Sequence, residues 1–367
     1  MKVVFIGGIN VPSQGGIENY VINMASQLIK NGHEAWIICR GVEKAHYESH
    51  GIEITKVPVA ENSFAILVHN FKASLVVWKN WKDIDVVNYQ SIYLPFLYEW
   101  IPKLRGIKVC HTQHSFAQDN PKHGFVSKLL ISTLYRISGL IFSPIITVSE
   151  RNKALIRSRL LKTATVINCG VDIAPSCEDT DIINQFEIKA GKYYLTIGRI
   201  DPVKNLHVLI KAFLKHSKDS DYQLVIAGNL NNNYAEELKK LANGDERIIF
   251  TGPVYGNDKE TLLHRCMAYC LVSMSEGFPI ALLEAMSHGK ICLCSDIPAN
   301  RETLTKPLGL WSKVGDDVSL FENMHMLETS PEQYAELGDL VKKRILDNLT
   351  WDKIGVQYID YLKSNIL

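Results

Sequence analysis

Short apolar runs alternate with stretches of helical periodicity along almost the whole chain, and no other feature restricts the fold as much. In the first half the runs are 3–6, 35–39, 52–57, 84–88, 107–111, 144–148 and 165–168. Helical patterning occupies 17–30, 64–80, 93–104, 125–142 and 150–160; in the first of these Ile17, Val21, Met24 and Leu28 share one face. The second half continues with runs at 193–197, 223–227, 248–251, 269–273 and 292–295. Strands that alternate with helices predict an α/β chain of parallel sheets covered on both faces. Ligands of such sheets bind beyond the carboxyl ends of the strands, so the chemistry is sought in the loops that leave them. A chain of 367 residues exceeds one average core, and two domains are expected.

Composition excludes several classes. Hydrophobic residues make up 46% and charged residues 22%, the balance of a soluble globular protein. No run approaches the ~18–20 apolar residues of a spanning helix. Met1-Lys2-Val3-Val4-Phe5-Ile6-Gly7-Gly8 reads as a first buried strand, because a secretory signal needs a longer apolar core and a small-residue cleavage site. A cytoplasmic location is expected. The eight cysteines (Cys39, Cys110, Cys169, Cys177, Cys266, Cys270, Cys292 and Cys294) show no paired CxxC spacing. Most lie in apolar runs, as small core residues do, so neither a zinc site nor a disulfide framework is indicated.

The net charge of +1 conceals an asymmetry. Residues 1–175 hold 19 Lys and Arg against 12 Asp and Glu, a balance of +7; the remainder hold 21 against 27, a balance of −6. A basic first half suits an anionic partner. Residues 151–162 contain five basic side chains and no acidic one, and 64–82 interleaves Phe64, Leu67, Phe71, Leu75 and Trp78 with Lys72, Lys79 and Lys82. Each stretch reads equally well as a solvated helix face or as a surface for anionic lipid, where each basic residue gains roughly 1 kcal/mol. No recognition motif accompanies the charge, so nucleic acid is not expected.

Four loops carry groups suited to chemistry. Residues 275–289 read as a loop that becomes a helix: Pro279 suits the first helical position, Ile280, Leu283 and Met286 share a face, and Gly289 ends it. Glu276 and Glu284 bracket the turn, whose helix start is a seat for an anion. An amphipathic helix with two solvated glutamates is the plain alternative. Near the amino terminus Gly15-Gly16 precedes a helix and lets a ligand approach the backbone closely; the spacing is not that of the dinucleotide-binding GxGxxG. His111-Thr112-Gln113-His114 leaves a strand, where a histidine is more often functional than elsewhere, and Ser149 reads as a helix N-cap. Gly198-Arg199 ends another strand, and Lys204-Asn205 follows around the turn. Arginine's planar fork and lysine's point charge can both address one oxyanion there.

Together these loops resemble retaining nucleotide-sugar glycosyltransferases of family 4. Glu276 and Glu284, with Gly277-Phe278-Pro279 between them, match the family's paired-glutamate signature, and Gly198-Arg199 with Lys204-Asn205 matches its diphosphate-binding pair. Gly15-Gly16 resembles the glycine loop that reaches the diphosphate from the opposite domain. Asn168-Cys169-Gly170-Val171-Asp172 resembles the close of the first domain, and Phe250-Thr251-Gly252-Pro253-Val254 the lining of the nucleobase pocket; Gly228-Asn229-Leu230 stands where the family has G-x-G. The implied fold is GT-B, two Rossmann-like parallel-sheet domains facing across a cleft. Residues 1–172 form the acceptor side, 173–192 a linker and 193–350 the donor domain, and the helix of 351–367 returns to the first domain with Trp351 and Tyr358 as anchors.

The resemblance also implies roles. Arg199, Lys204, Gly15, Gly16, Pro279 and Ile280 hold the donor diphosphate. Glu276, Glu284, Gly277 and Phe278 hold sugar and ribose, and Gly252, Val254 and Asn229 line the base. His114, with His111 as fallback, meets the sugar, and Glu276 and His114 are the catalytic pair. Neither metal nor cofactor is implied, because the acidic pairs Asp83/Asp85 and Asp179/Asp181 do not follow strands as the metal-binding pair of another glycosyltransferase architecture does. The implied activity is retaining transfer of a hexose from a UDP- or GDP-sugar to a lipid-linked glycan acceptor. The setting is bacterial lipopolysaccharide, capsule or exopolysaccharide synthesis, with peripheral contact at the inner membrane. Two alternatives stay open: a nucleotide-sugar epimerase or hydrolase that uses no acceptor, and a non-catalytic membrane-surface subunit. The intact Arg199, Lys204, Glu276 and Glu284 set argues against the second.

Overall fold

Every apolar run named above forms a strand, and the strands assemble into two Rossmann-like parallel-sheet units. The computed structural model describes residues 1–11, 15–60, 62, 64–114, 143–174 and 181–367. The helical reading at 125–142 and the linker segment 175–180, with Cys177 and Asp179, lie outside the described residues. One unit is Met1–Gly170 with Trp351–Leu367, the other Val171–Thr350.

The first unit carries β1 (Lys2–Ile9), β2 (Glu34–Gly41), β3 (Ala45–Ser49), β4 (Ile52–Pro58), β5 (Val86–Tyr89), β6 (Lys108–Gln113), β7 (Ile145–Thr147) and β8 (Thr165–Val166). Their order is β3-β4-β2-β1-β5-β6-β7-β8, so the chain's direction across the sheet reverses between β1 and β5. Only β3 runs antiparallel, in a hairpin with β4 that the sequence reading omitted. Its two-residue loop is His50-Gly51, both at positive φ (52° and 75°), the conformation such tight hairpins require. Helices α1 (Gly16–Lys30), α2 (Ala65–Lys79), α3 (Trp100–Lys103) and α4 (Glu150–Leu160) accompany the sheet. The expected helix at 93–104 is reduced to a turn at Pro95–Leu97 and the single turn of α3. Leu94 sits at φ 49°, and Pro95 and Pro102 lack the N–H groups that a continuous helix uses. Ser149 caps α4 as read, accepting the Asn152 N–H at 3.2 Å. Val4, Ile6, Trp36, Ile38, Val87 and Val109 fill the core beneath the helices.

The second unit carries β9 (Tyr193–Ile197), β10 (Gln223–Ala227), β11 (Ile248–Gly252), β12 (Ala268–Leu271), β13 (Ile291–Ser295) and β14 (Leu310–Ser312), in the order β11-β10-β9-β12-β13-β14. All its pairs are parallel. β14 escaped the sequence reading because its three residues are too few to show a period. The helices are α5 (Asp181–Gln185), α6 (Leu206–Phe213), α7 (Asn233–Ala242), α8 (Gly256–Arg265), α9 (Ile280–Ser287), α10 (Pro298–Leu304), α11 (Asp317–Thr329) and α12 (Leu337–Arg344). Successive strands step outward from β9 to one side and from β12 to the other. The loops after β9 and β12 are therefore left side by side at the carboxyl edge, where doubly wound sheets seat ligands.

The last stretch of the chain is divided between the two units. After α12 comes a wide turn at Ile345–Leu349, then Thr350 in extended conformation, then α13 (Trp351–Asn365) in the first unit. Gly355 of α13 lies against Gln27 of α1, and Trp351 against Gly170, where an added Cβ would stand 2.8 Å from the ring. At the buried end, Asn88 Nδ2 donates to the Tyr358 hydroxyl at 2.7 Å while Thr112 Oγ1 donates to Asn88 Oδ1 at 3.0 Å. The seven described cysteines are all free and buried. No helix among the described residues is long and apolar enough to cross a membrane.

Asn88 and Tyr358 are both fully buried, so Tyr358→Phe leaves an amide donor without an acceptor. The expected loss is about 1–2 kcal/mol of stability, read from urea unfolding with circular dichroism unchanged in the native baseline.

Candidate functional site

The carboxyl edge of the second sheet gathers the charged groups. Past β9 the chain turns at Gly198 (φ 150°), exposes Arg199, and enters a short turn at Pro202–Lys204. Asp201 caps that turn by accepting the Val203 N–H at 3.2 Å, and Asn205 takes the left-handed conformation (φ 58°) that asparagine tolerates. Past β12, the Met274 N–H donates to the Val203 carbonyl at 2.8 Å, and Ser295 Oγ holds the Ser273 carbonyl at 2.5 Å. The first bond stitches the two loops together, and the second ties the β12 loop to the end of β13. Lys204 Nζ then meets Glu276 Oε1 at 2.7 Å, both side chains mostly buried. Thr196, Gly198, Arg199, Lys204 and Ser273 line a small recess that opens to solvent. Gly228, after β10, supports the same turn: a Cβ there would fall 2.1 Å from the Gly198 carbonyl oxygen.

Pro279 corrects the sequence reading. It is the N-cap of α9 rather than its first residue, at φ −81° and ψ 98°, and Ile280 opens the helix. The pyrrolidine ring restrains φ alone, so the chain stays extended through Pro279 while its carbonyl accepts the Leu282 and Leu283 N–H groups at 3.1 and 3.3 Å. Gly277 and Phe278 fill the loop before it, Phe278 buried. At the other end Gly289 (φ 68°) donates to Met286 and Lys290 to Ala285, closing the helix as a left-handed glycine cap does.

Glu284 faces a relay that the sequence did not disclose. Its Oε1 is 3.0 Å from Lys259 Nζ, Lys259 is 3.3 Å from Glu260, and His288 Nε2 is 2.8 Å from the other Glu260 oxygen. The His288 hydrogen bond, working against burial and helped by Lys259, holds Glu260 below the ordinary carboxylate range. Burial disfavours the Lys259 ammonium, but Glu284 and Glu260 outweigh it and raise its pKa. Glu284 is thus oriented by a cation of α8.

The nucleobase candidates are placed by backbone. Gly252 ends β11 at φ 80°, its carbonyl accepting the Gly228 N–H at 2.9 Å, and Val254 is buried just beyond. Asn229 is exposed, with its side-chain oxygen taken by the Asn231 N–H and its carbonyl by Asn232 Nδ2, so both oxygens serve its own turn. Among the described residues no three His, Cys, Asp or Glu side chains gather as metal ligands.

In the first unit, Gly15, Gly16 and His114 belong to loops at the carboxyl ends of β1 and β6. Gly15 caps α1 and Gly16 opens it. A residue the sequence reading passed over explains the first glycine: Glu18 accepts the Ile9 N–H at 2.7 Å, and a Cβ on Gly15 would lie 1.9 Å from its second oxygen. The room at Gly15 is occupied by the chain's own carboxylate. His114 directs Nε2 at Gln90 Oε1 (2.9 Å) and lies 4.8 Å edge-on to the Tyr20 ring. Burial pushes its pKa down to about 4, so the ring is neutral at pH 7.

His111 has a structural task instead. Fully buried, it faces two acceptors, the Ser91 carbonyl at 2.9 Å and Glu99 Oε2 at 3.1 Å. Lys103 Nζ meets the other Glu99 oxygen at 3.2 Å. Burial would raise the Glu99 pKa, but His111, Ser143 and Lys103 outweigh it and hold it at about 2. A carboxyl depressed from 4.5 in this way contributes stability above pH 4.5 that is lost as pH falls toward 2. Unfolding of Glu99→Gln is therefore expected to lose that part of the acid dependence while starting from a lower stability at pH 7, as measured by thermal melts from pH 2 to 7.

Residues 178–344 match the family described as Glycosyl transferases group 1, and residues 14–175 match Glycosyltransferase Family 4. The chain is 24% identical over 345 residues to the O-antigen chain mannosyltransferase RfbU of Salmonella typhimurium, spanning 91% of this chain and 93% of that protein. It is 27% identical over 315 residues to the UDP-Gal:alpha-D-GlcNAc-diphosphoundecaprenol alpha-1,3-galactosyltransferase of Escherichia coli, spanning 80% of each. It is also similar to the crystal structure of Anabaena HepE in complex with UDP-glucose, with a TM-score of 0.79 at 16% identity over 99% of this chain and 100% of that one. That last likeness is one of fold.

Proposed function

We propose, for a chain that is a glycosyltransferase of the GT-B fold, retaining transfer of a hexose from a UDP- or GDP-sugar to a lipid-linked glycan acceptor in bacterial surface-polysaccharide synthesis. The observation that carries the donor side is the recess at the β9–β12 reversal, where Arg199 and Lys204 converge beside Glu276. Names of the relatives support the acceptor side: one acts on O-antigen chains, another on a sugar carried by diphosphoundecaprenol.

Departure of a nucleoside diphosphate leaves negative charge on its oxygens. In this reading Arg199 offers a two-pronged fork and Lys204 a point charge, with the N–H groups that open α9 at Ile280 aimed at the same anion. These cations supply the stabilisation without a metal. Lys204 and Glu276 neutralise one another in the free protein; on donor binding the phosphate takes Lys204, and Glu276 turns to the sugar hydroxyls. Glu284, held by Lys259, accepts hydrogen bonds from the ribose. Gly252 and Val254 flank the base through backbone, Asn229 marking the edge. For the first unit the same reading gives Gly15 and Gly16 backbone N–H groups suited to phosphate, and neutral His114 a lone pair suited to a sugar hydroxyl. The reaction proceeds by front-face attack within an ion pair, with no covalent intermediate on the enzyme.

Lys204→Ala and Glu284→Ala are each expected to lower turnover about 100-fold or more while leaving the circular dichroism spectrum intact. The reading is tested by incubating the protein with UDP- and GDP-sugars, with and without a lipid-linked acceptor. Product requiring both substrates, with the donor's anomeric configuration kept, supports it; sugar released or epimerised without acceptor, or full activity in both variants, overturns it.

A further inference from the structure

Helix α2 is packed inside out. The face it turns to the sheet is mostly small or polar: its buried residues are Ala65, His69, Asn70, Ala73 and Ser74, with Val77 as the one larger apolar side chain. Ser74 Oγ lies 2.6 Å from the Tyr89 hydroxyl and Asn70 Nδ2 donates to Ser91 Oγ at 3.3 Å, while Ala73 and Val77 pack on the sheet core. The opposite face is a stripe at helical spacing of Phe64, Val68, Phe71 and Leu75, exposed by 56, 37, 41 and 42%. An amphipathic surface helix ordinarily does the reverse. The stripe continues onto the neighbouring segment: Arg105 lies over the Trp78 ring at 3.9 Å and near Trp81 at 5.2 Å, and Trp100 and Leu104 beside it are 50 and 66% exposed. Contiguous exposed apolar surface of this kind marks a site of attachment.

Charge selects the occupant. Residues 64–108 contain six basic side chains (Lys72, Lys79, Lys82, Lys103, Arg105 and Lys108) against three acidic ones. Of these, buried Glu99 pairs with Lys103 at 3.2 Å, which leaves five basic side chains against Asp83 and Asp85. Two copies of the same patch meeting face to face would oppose lysine to lysine, which disfavours self-association. Apolar and aromatic side chains rimmed by lysines suit the headgroup region of an anionic bilayer, where the former enter the acyl boundary and the latter meet phosphate. Helix α4, with its four basic residues, offers no such face: among its described residues and the one that follows, Leu161 is the only large apolar side chain exposed.

We propose that the Phe64–Leu75 face of α2, extended by Trp100 and Leu104, is the surface by which this protein seats itself on an anionic membrane. This deepens the proposed function, resting on it for the purpose of attachment (access to a lipid-linked acceptor) but not for the attachment itself.

The test uses the full chain without donor or acceptor, sedimented with phosphatidylcholine vesicles with and without phosphatidylglycerol. The expected result is pelleting with the anionic vesicles, weakened by added salt. Phe71→Ser combined with Leu75→Ser should reduce vesicle affinity about tenfold or more, and Lys72→Gln combined with Lys79→Gln should flatten the salt dependence. Both pairs lie on exposed positions and should leave UDP or GDP binding unchanged by calorimetry, whereas Lys204→Ala should pellet like the parent. The proposal is overturned if the parent stays in the supernatant with anionic vesicles, or if the apolar variant pellets as well as the parent. Light scattering that shows a dimer which the apolar variant dissociates overturns it too, in favour of a second copy. Failure here leaves the donor chemistry untouched, since no substrate is present.

Discussion

The hydrogen bond from the Met274 amide to the Val203 carbonyl joins two loops that are seventy residues apart in sequence and adjacent only because the sheet reverses direction between β9 and β12. Everything assembled at the carboxyl edge of the second unit depends on that adjacency. It brings the Lys204 ammonium within 2.7 Å of Glu276 and leaves Arg199 at the mouth of the same recess. Small residues are needed where the loops converge: Gly228 stands where any side chain would strike the Gly198 carbonyl. A parallel sheet with both faces covered concentrates polar function at this edge because nowhere else is the backbone free to meet a ligand.

The first unit is held by buried polar pairs rather than by apolar packing alone. Asn88, Thr112 and Tyr358 form one chain of hydrogen bonds that anchors α13 beneath β5 and β6, and His111 hydrogen-bonds buried Glu99 one strand position away. Such groups are costly unless every donor and acceptor is matched, and here they are matched to specific neighbours, which favours one register over its alternatives. The same economy explains α2. Its inner face combines hydrogen bonds from Asn70 and Ser74 with the small or short side chains Ala73 and Val77, leaving bulky side chains to the outside.

Much of the fold was legible in the chain itself. The alternation of apolar runs with helical patterning anticipated all the long strands, because a strand buried on both faces must be apolar throughout its length. What it missed is physically intelligible: β3 is polar and lies at an edge, β14 has only three residues, and Pro95 and Pro102 cut a pattern that composition alone reads as helix. At the site, the spacing of Arg199 to Lys204 and of Glu276 to Glu284 was visible, because both pairs are local to a turn. Lys259, Glu260 and His288 were invisible, because a lysine on one helix gains meaning only when a second helix lays a carboxylate beside it.

The sequence by itself therefore determined the parallel α/β architecture and the identity of the turns that carry charge, since periodicity and turn chemistry are properties of neighbouring residues. Only the tertiary structure decided which charges pair. It closed Lys204 onto Glu276, withdrew His111 into a buried hydrogen bond with Glu99, filled the space at Gly15 with Glu18, and turned the apolar face of α2 outward. Each of these outcomes joins residues from separate elements or sets one side of a helix against a sheet, and strand order and packing, not sequence neighbours, bring such groups within a few ångströms.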